Sequence, residues 1–320
     1  MRQIVFSALK ILISAALLYF ALRKVDLANL LSRIDSKSLL WLGVAVAVTF
    51  LQVYVGALRW REISADCGAP LSPRQAMRYN LIGTFFNQTL PSAIGGDAMR
   101  LWLLARGGAG WRKATYSIFV DRAIGLIALA VVIVASLPWS YELIRNAEGR
   151  SALLLVDFAA LAAGLGFLLL GRLPWAWLQR WWGTQHFHAC SVVANQVIFD
   201  RKRGPMIAML SILVHVLTVI MAWCVAQSIS APVLFNQVFQ LVPPVMLITM
   251  LPISIAGWGV REATMGLAFG YAGLMPSEGV NISLLFGAVT FAVGAVGGLV
   301  WVLSAEKARQ GSKPIEIPES

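Results

Sequence analysis

Six runs of near 20 apolar residues dominate the chain: Ile4 to Leu22, Leu39 to Leu58, Tyr116 to Leu137, Ser151 to Gly171, Met206 to Ile229 and Val280 to Leu303. A helix needs about 20 such residues to cross roughly 30 Å of hydrocarbon. The runs therefore predict membrane-spanning helices. Composition leaves no competing class: 58% hydrophobic residues, 13% charged residues and a mean hydropathy of +0.74 exclude a soluble globular domain. The expected fold class is an all-α polytopic membrane protein of about six to eight transmembrane helices.

Two further apolar segments, residues 79–104 and 235–271, are interrupted. The first contains Leu90-Pro91-Ser92-Ala93-Ile94-Gly95-Gly96-Asp97-Ala98-Met99-Arg100, and the second contains Leu251-Pro252-Ile253-Ser254-Ile255-Ala256-Gly257-Trp258-Gly259-Val260-Arg261-Glu262. Each places a proline, paired glycines and opposite charges where hydrocarbon penalises all of them. Irregular backbone at that depth is tolerated only where it is buried in protein or lines a wet cavity. Matched interruptions in two halves of a chain also point to a transporter's binding site and allow an inverted repeat. Each segment reads either as one full span or as two half-helices in a re-entrant hairpin. Residues 1–303 then form one transmembrane domain, with a Trp-rich interfacial loop at 172–204 and a disordered tail at 304–320.

The net charge of +11 raises the prospect of a nucleic-acid partner. The basic residues, however, cluster in short segments between apolar runs, the pattern of topology signals and anionic lipid contacts. Arg59, Arg61, Arg74, Arg78, Arg106, Arg112, Lys113 and Arg201-Lys202-Arg203 fall on one side, and placing them in the cytoplasm puts both termini inside. The expected location is a bacterial-type cytoplasmic (inner) membrane, with the first run, which lacks a small-residue cleavage site, retained as a span. Cys67, Cys190 and Cys224 are scattered and support neither a disulfide framework nor a redox pair. His186-x-His188-x-Cys190 is a weak metal motif, and no metal or cofactor is expected. ATPase and hydrolase signatures are absent from the sequence.

The candidate substrate-binding residues flank the two interruptions. Asp97 and Arg100 follow Gly95-Gly96, so a half-helix starting there would turn free N–H groups and a partial positive charge toward the break, which suits a phosphate. Arg261 and Glu262, after Gly257-Trp258-Gly259, supply the equivalent end of the second break. The alternative is four interfacial charges capping ordinary helices, against which stands an insertion cost of ~2.5 to 3.5 kcal/mol per central charge. Asn87 and Gln88, with Thr89, Gln240 and Thr249, either line a headgroup path or hydrogen-bond between helices. Asp121 and Arg122 are adjacent on a helix and so diverge, and at least one must find a partner elsewhere. A tie to the Asp97/Arg100 break is the functional expectation for that pair. Asp157 and His215 are proton-relay candidates, with snorkelling to water the expected role of Asp157 and a packing hydrogen bond that of His215. Gly266-x-x-x-Gly270 and Gly294-x-x-x-Gly298 allow close helix approach.

Taken together, Arg59-Trp60-Arg61, the Leu90-Pro91 to Arg100 motif, Asp121-Arg122 with Gly125, and the Leu251-Pro252 to Glu262 motif resemble the transmembrane flippase-like domain of lysylphosphatidylglycerol synthetases. The resemblance spans roughly Ile4 to Leu303 and implies movement of a phospholipid, isoprenoid lipid or glycolipid between leaflets. The synthase domain of bifunctional members has no counterpart here, so lysyl-lipid synthesis is not implied. The expected partners are membrane lipids with anionic or phosphate-bearing headgroups, and lipid-synthesis enzymes. Two other functions stay open: a membrane-embedded headgroup or sugar transferase with Asp97 or Glu262 as general base, and a non-catalytic scaffold of a lipid-synthesis complex.

Overall fold

The computed structural model describes residues 35–90, 94–173, 182–250 and 257–304, together with residues 19, 33 and 254. The first apolar run apart from Tyr19, both motif prolines, Trp175, Trp177, Trp181 and the tail beyond Ser304 lie outside the described residues. Within them the chain forms ten α-helices and no strand. These are α1 (Ser36–Asp66), α2 (Pro73–Thr89), α3 (Gly95–Leu104), α4 (Trp111–Leu143), α5 (Ala147–Leu170), α6 (Trp182–Phe199), α7 (Gly204–Ser228), α8 (Phe235–Thr249), α9 (Val260–Tyr271) and α10 (Pro276–Leu303). Five of them, α1, α4, α5, α7 and α10, are long and apolar enough to cross a membrane and match five of the six runs. The fold is all-α and polytopic.

Local chemistry explains the starts. Asp35 caps α1 by accepting the Ser38 N–H at 2.7 Å, and these bonds hold its carboxyl below the ordinary 3.8. Ser72 and Gln75 cap α2 reciprocally, with Pro73 at its first position. Asn146 caps α5 by accepting from Glu148 and Gly149. The Trp-rich stretch folds further than a loop: α6 takes up its second half and packs Cys190, Ala194 and Val197 against Ile63, Val120 and Ile207.

Both interrupted segments are helix-break-helix. At 1.5 Å per residue the ten residues of α3 reach about 15 Å, half a hydrocarbon core, and the twelve of α9 about 18 Å. The α3 helix folds back antiparallel on α2, because Gly83 faces Gly96 and Arg100 while Gly95 faces Phe86 and Leu90. A Cβ on Gly96 would collide with the Gly83 carbonyl and with Asn87, so this approach needs glycine. The second break turns through Gly257 (φ 79°) and Gly259 (φ 83°), a conformation strained for any other residue.

The two halves meet through shared neighbours. Helix α10 packs on both α2 and α9, and α4 packs on both α3 and α8. The glycine motifs do the close work: Gly266 lies against Val280, and Gly294, Gly297 and Gly298 lie against Leu81, Thr84 and Phe85. A core of Val219, Ala222, Val225, Leu241, Met265, Phe269 and Ile282 joins α7 to α10, and a second core of Trp60, Tyr79, Ile82, Leu103 and Ile118 joins α1 to α4.

Candidate functional site

At the first break, five charged side chains from three elements alternate in sign. Arg59 of α1 donates through Nε to Asp121 Oδ1 of α4 at 3.0 Å, and Arg100 of α3 donates through Nη2 to Asp121 Oδ2 at 3.0 Å. Arg100 also reaches Asp97 Oδ1 at 3.3 Å, and Arg122 grips Asp97 with Nε at 2.6 Å and Nη2 at 2.8 Å. Three arginines against two aspartates leave one positive charge. Arg59, Asp97, Arg100 and Asp121 are buried, whereas the Arg122 side chain is 43% exposed. The surplus charge therefore has one outlet, the Arg122 guanidinium. Asp121 and Arg122 diverge as adjacent helical residues must, and each finds its partner in the break.

The network is braced by neighbours. Arg100 stacks on Trp60 at 4.1 Å from the ring centroid, and Trp60 Nε1 donates to Ser117 Oγ at 2.8 Å. A Cβ on Gly125 would lie 3.2 Å from the Arg59 guanidinium, so glycine leaves room for that arm. The Gly125 carbonyl faces His215 Nε2 at 2.9 Å, and because a carbonyl only accepts, this nitrogen carries the proton. His215 is thus held in a packing hydrogen bond, as expected.

The start of α3 differs from the expected open anion cradle. Asn87 Oδ1 accepts from the Gly96 N–H at 2.8 Å, and the Asp97 carboxylate sits in the first turn. The Asn87 amide oxygen takes an N–H that a free phosphate would have used, and the Asp97 carboxylate, held by Arg100 and Arg122, adds its negative charge to the same first turn. The second break is closed in the same way. Glu262 Oε2 accepts from the Gly259 N–H at 2.6 Å, and Glu262 Oε1 accepts from Arg261 Nη2 at 2.9 Å and Ser283 Oγ at 2.8 Å. Arg261 lies between Trp258 and Phe286, with its guanidinium filling the space a Cβ on Gly287 would need.

The structure therefore gathers Asn87, Gly95, Gly96, Asp97, Arg100, Asp121 and Arg122 at one break, and Gly257, Gly259, Arg261 and Glu262 at the other. Among the described residues no ion pair joins the two groups. Gln88 points instead toward Gly294 of α10, and the Thr89 and Thr249 hydroxyls donate to carbonyls of their own helices. Arg59 is a member that sequence reasoning assigned to a cytoplasmic loop; α1 runs on to Asp66 and carries it into the interior. Its signal was present in Arg59-Trp60-Arg61, two of whose three residues join the network. Ser283 and Phe286 carry no signal in a single sequence, and Trp258 is visible there only as the spacer between two motif glycines. Asp157 does not snorkel: it is 4% exposed, and neither carboxyl oxygen has a hydrogen-bond partner among the described residues. His186 pairs with the Tyr116 hydroxyl at 2.5 Å, and no group of three metal-binding side chains occurs among the described residues.

A model of the lysylphosphatidylglycerol synthase TM region matches residues 7–298. The chain belongs to this family. Membership ties it to membrane lipid modification or translocation and makes it an integral membrane protein. No match was found among curated proteins or among solved structures. The family match spans both breaks and the helices that brace them, so both ionic groups lie within its bounds.

Proposed function

We propose that this protein is a lipid translocase, moving a phospholipid or isoprenoid-linked headgroup between leaflets past the two broken helices while the chains stay in the bilayer. The observation that carries the reading is the five-charge network at the first break. A buried array with one positive charge in excess, opening only at Arg122, is costly in hydrocarbon and attracts an anion. Asp97 and Asp121 hold the arginines in place while leaving them exchangeable, because each guanidinium has a carboxylate to return to when a headgroup departs. Arg261 and Glu262, balanced against each other beside α10, serve the second half of the path. The reading takes residues 1–303 as one translocating unit in a bacterial-type cytoplasmic membrane, with both termini on the cytoplasmic side. A transferase using Asp97 or Glu262 as general base is disfavoured, since both carboxylates are engaged by arginine.

The test is leaflet exchange in proteoliposomes carrying a fluorescent phospholipid that dithionite quenches from outside. Arg100→Ala and Arg261→Ala are each expected to slow exchange about tenfold or more, the kinetic equivalent of ~1.4 kcal/mol, in protein that elutes as a single species. Wild-type exchange in both variants would end the proposal.

A further inference from the structure

We propose that the face of α4 bearing Arg112, Phe119 and Arg122 is a lipid slot: an anionic phospholipid lays one acyl chain against it and sets its phosphate on Arg122. The proposal rests on the translocase reading and names where that substrate is held. Two cavities lie end to end along this face. The inner one, of about 520 Å³, is walled by α4, α5 and α8 with Phe187 of α6, and the outer one, of about 450 Å³, by α4 and α6. Phe119 and Phe187 line both, so the two form one continuous groove. Each lies within the roughly 300–1,000 Å³ of ordinary ligand sites.

The lining selects the occupant. The inner wall combines Ala159, Ala160, Ala163 and Gly164 of α5 with Leu247 and Ile248 of α8 and phenylalanine rings from α4, α5 and α6, an apolar trough with small residues along one side. Among the described residues Arg122 is the one charged side chain on that wall, and it is the exposed end of the network with the surplus positive charge. An apolar trough with a single cation fits an amphiphile with one negative charge. A neutral chain would leave the surplus charge unmatched, and a water-soluble anion would leave the trough wet. Arg112 and Trp111 line the outer cavity ten and eleven residues before Arg122, about 15 Å along the helix, which gives a headgroup an interfacial cation and indole on the way in. Bound phosphate would take the two donors that Arg122 now gives Asp97, while Asp97 keeps Arg100.

Photo-crosslinking reads this directly. Wild-type protein in phosphatidylcholine nanodiscs is doped with phosphatidylglycerol carrying a diazirine in one acyl chain, irradiated and digested. Label is expected on peptides covering Phe119–Ile127 and Val156–Phe167, competed by unlabelled phosphatidylglycerol and not by added phosphatidylcholine. Arg122→Gln should cut labelling about tenfold, the loss of a charge-assisted bond, and Arg122→Lys should restore part of it. Ala163→Trp fills the trough without touching the ionic network and should cut labelling by a similar factor, so the slot remains testable if Arg122→Gln does not fold. Label spread over the outer faces of α5 and α10, equal competition by phosphatidylcholine, indifference to Ala163→Trp, or crosslinks to a second copy of the chain would each overturn the slot. Leaflet exchange measured on the same preparations separates the two proposals: label in the groove without exchange overturns the translocase reading alone, and exchange that survives Ala163→Trp with no label in the groove overturns the slot alone.

Discussion

Asp121 accepts from two buried arginines at once, so its removal strands two cations inside the bundle. Asp121→Asn leaves Arg59 and Arg100 short of a counter-charge inside the bundle, and breaking a buried pair by deleting one partner costs about 3–5 kcal/mol. Thermal unfolding in detergent should register that loss, and adding Arg59→Met should recover part of it, because one stranded guanidinium then disappears. Asp157 predicts the opposite sign. Its two oxygens are buried without a partner among the described residues, so Asp157→Leu deletes an unsatisfied polar group and should stabilise by on the order of 1–3 kcal/mol. A fall in melting temperature would mean that a partner reaches this carboxyl. The two aspartates look alike as isolated acids in apolar sequence; what distinguishes them is the presence of arginines on neighbouring helices.

The element that governs the site is the α2–α3 hairpin, whose spacing is set by glycine. In Gly96→Ala the new methyl meets the Gly83 carbonyl and Asn87, so the helices must part and the Gly96–Asn87 bond lengthens. Overpacking of this kind costs about 1–3 kcal/mol, and it shifts Asp97 and Arg100 out of register with their partners on α4. Leaflet exchange should fall along with the melting temperature. Gly43→Ala in α1 is the matched control: nothing lies within 4 Å of the added methyl, and a helix gains roughly 0.5–1 kcal/mol from that change. Both half-helices also neutralise their own first turns, through Asn87 and Asp97 in one and Glu262 in the other. The sequence places these helix starts near Asp97 and Arg261 but leaves their N–H groups free: Asn87 arrives from another helix and is invisible in a linear motif, whereas Glu262 caps locally from three residues on, a spacing the sequence does carry.

At the scale of the whole molecule, the hairpin geometry of residues 79–104 has a topological consequence. Because α3 runs back along α2, Ser72 and Arg112 should sit on the same side of the bilayer, and a membrane-impermeant maleimide should label Ser72→Cys and Arg112→Cys from the same side of oriented vesicles. Labelling from opposite sides would make the segment a through-going span. Native Cys67 interferes little, since burial pushes its thiol up to about 12. The sequence alone determined that the chain spans a membrane, that five of the described stretches are long and apolar enough to cross it, and where two further apolar segments break. Those properties are local, fixed by the length of apolar runs and the demand that every peptide group be satisfied in hydrocarbon. Only the tertiary structure decided which charges pair and where the surplus goes. The deciding bonds join residues 21, 25 and 62 positions apart, and the sequence around any one of these residues does not record which helix will pack against it.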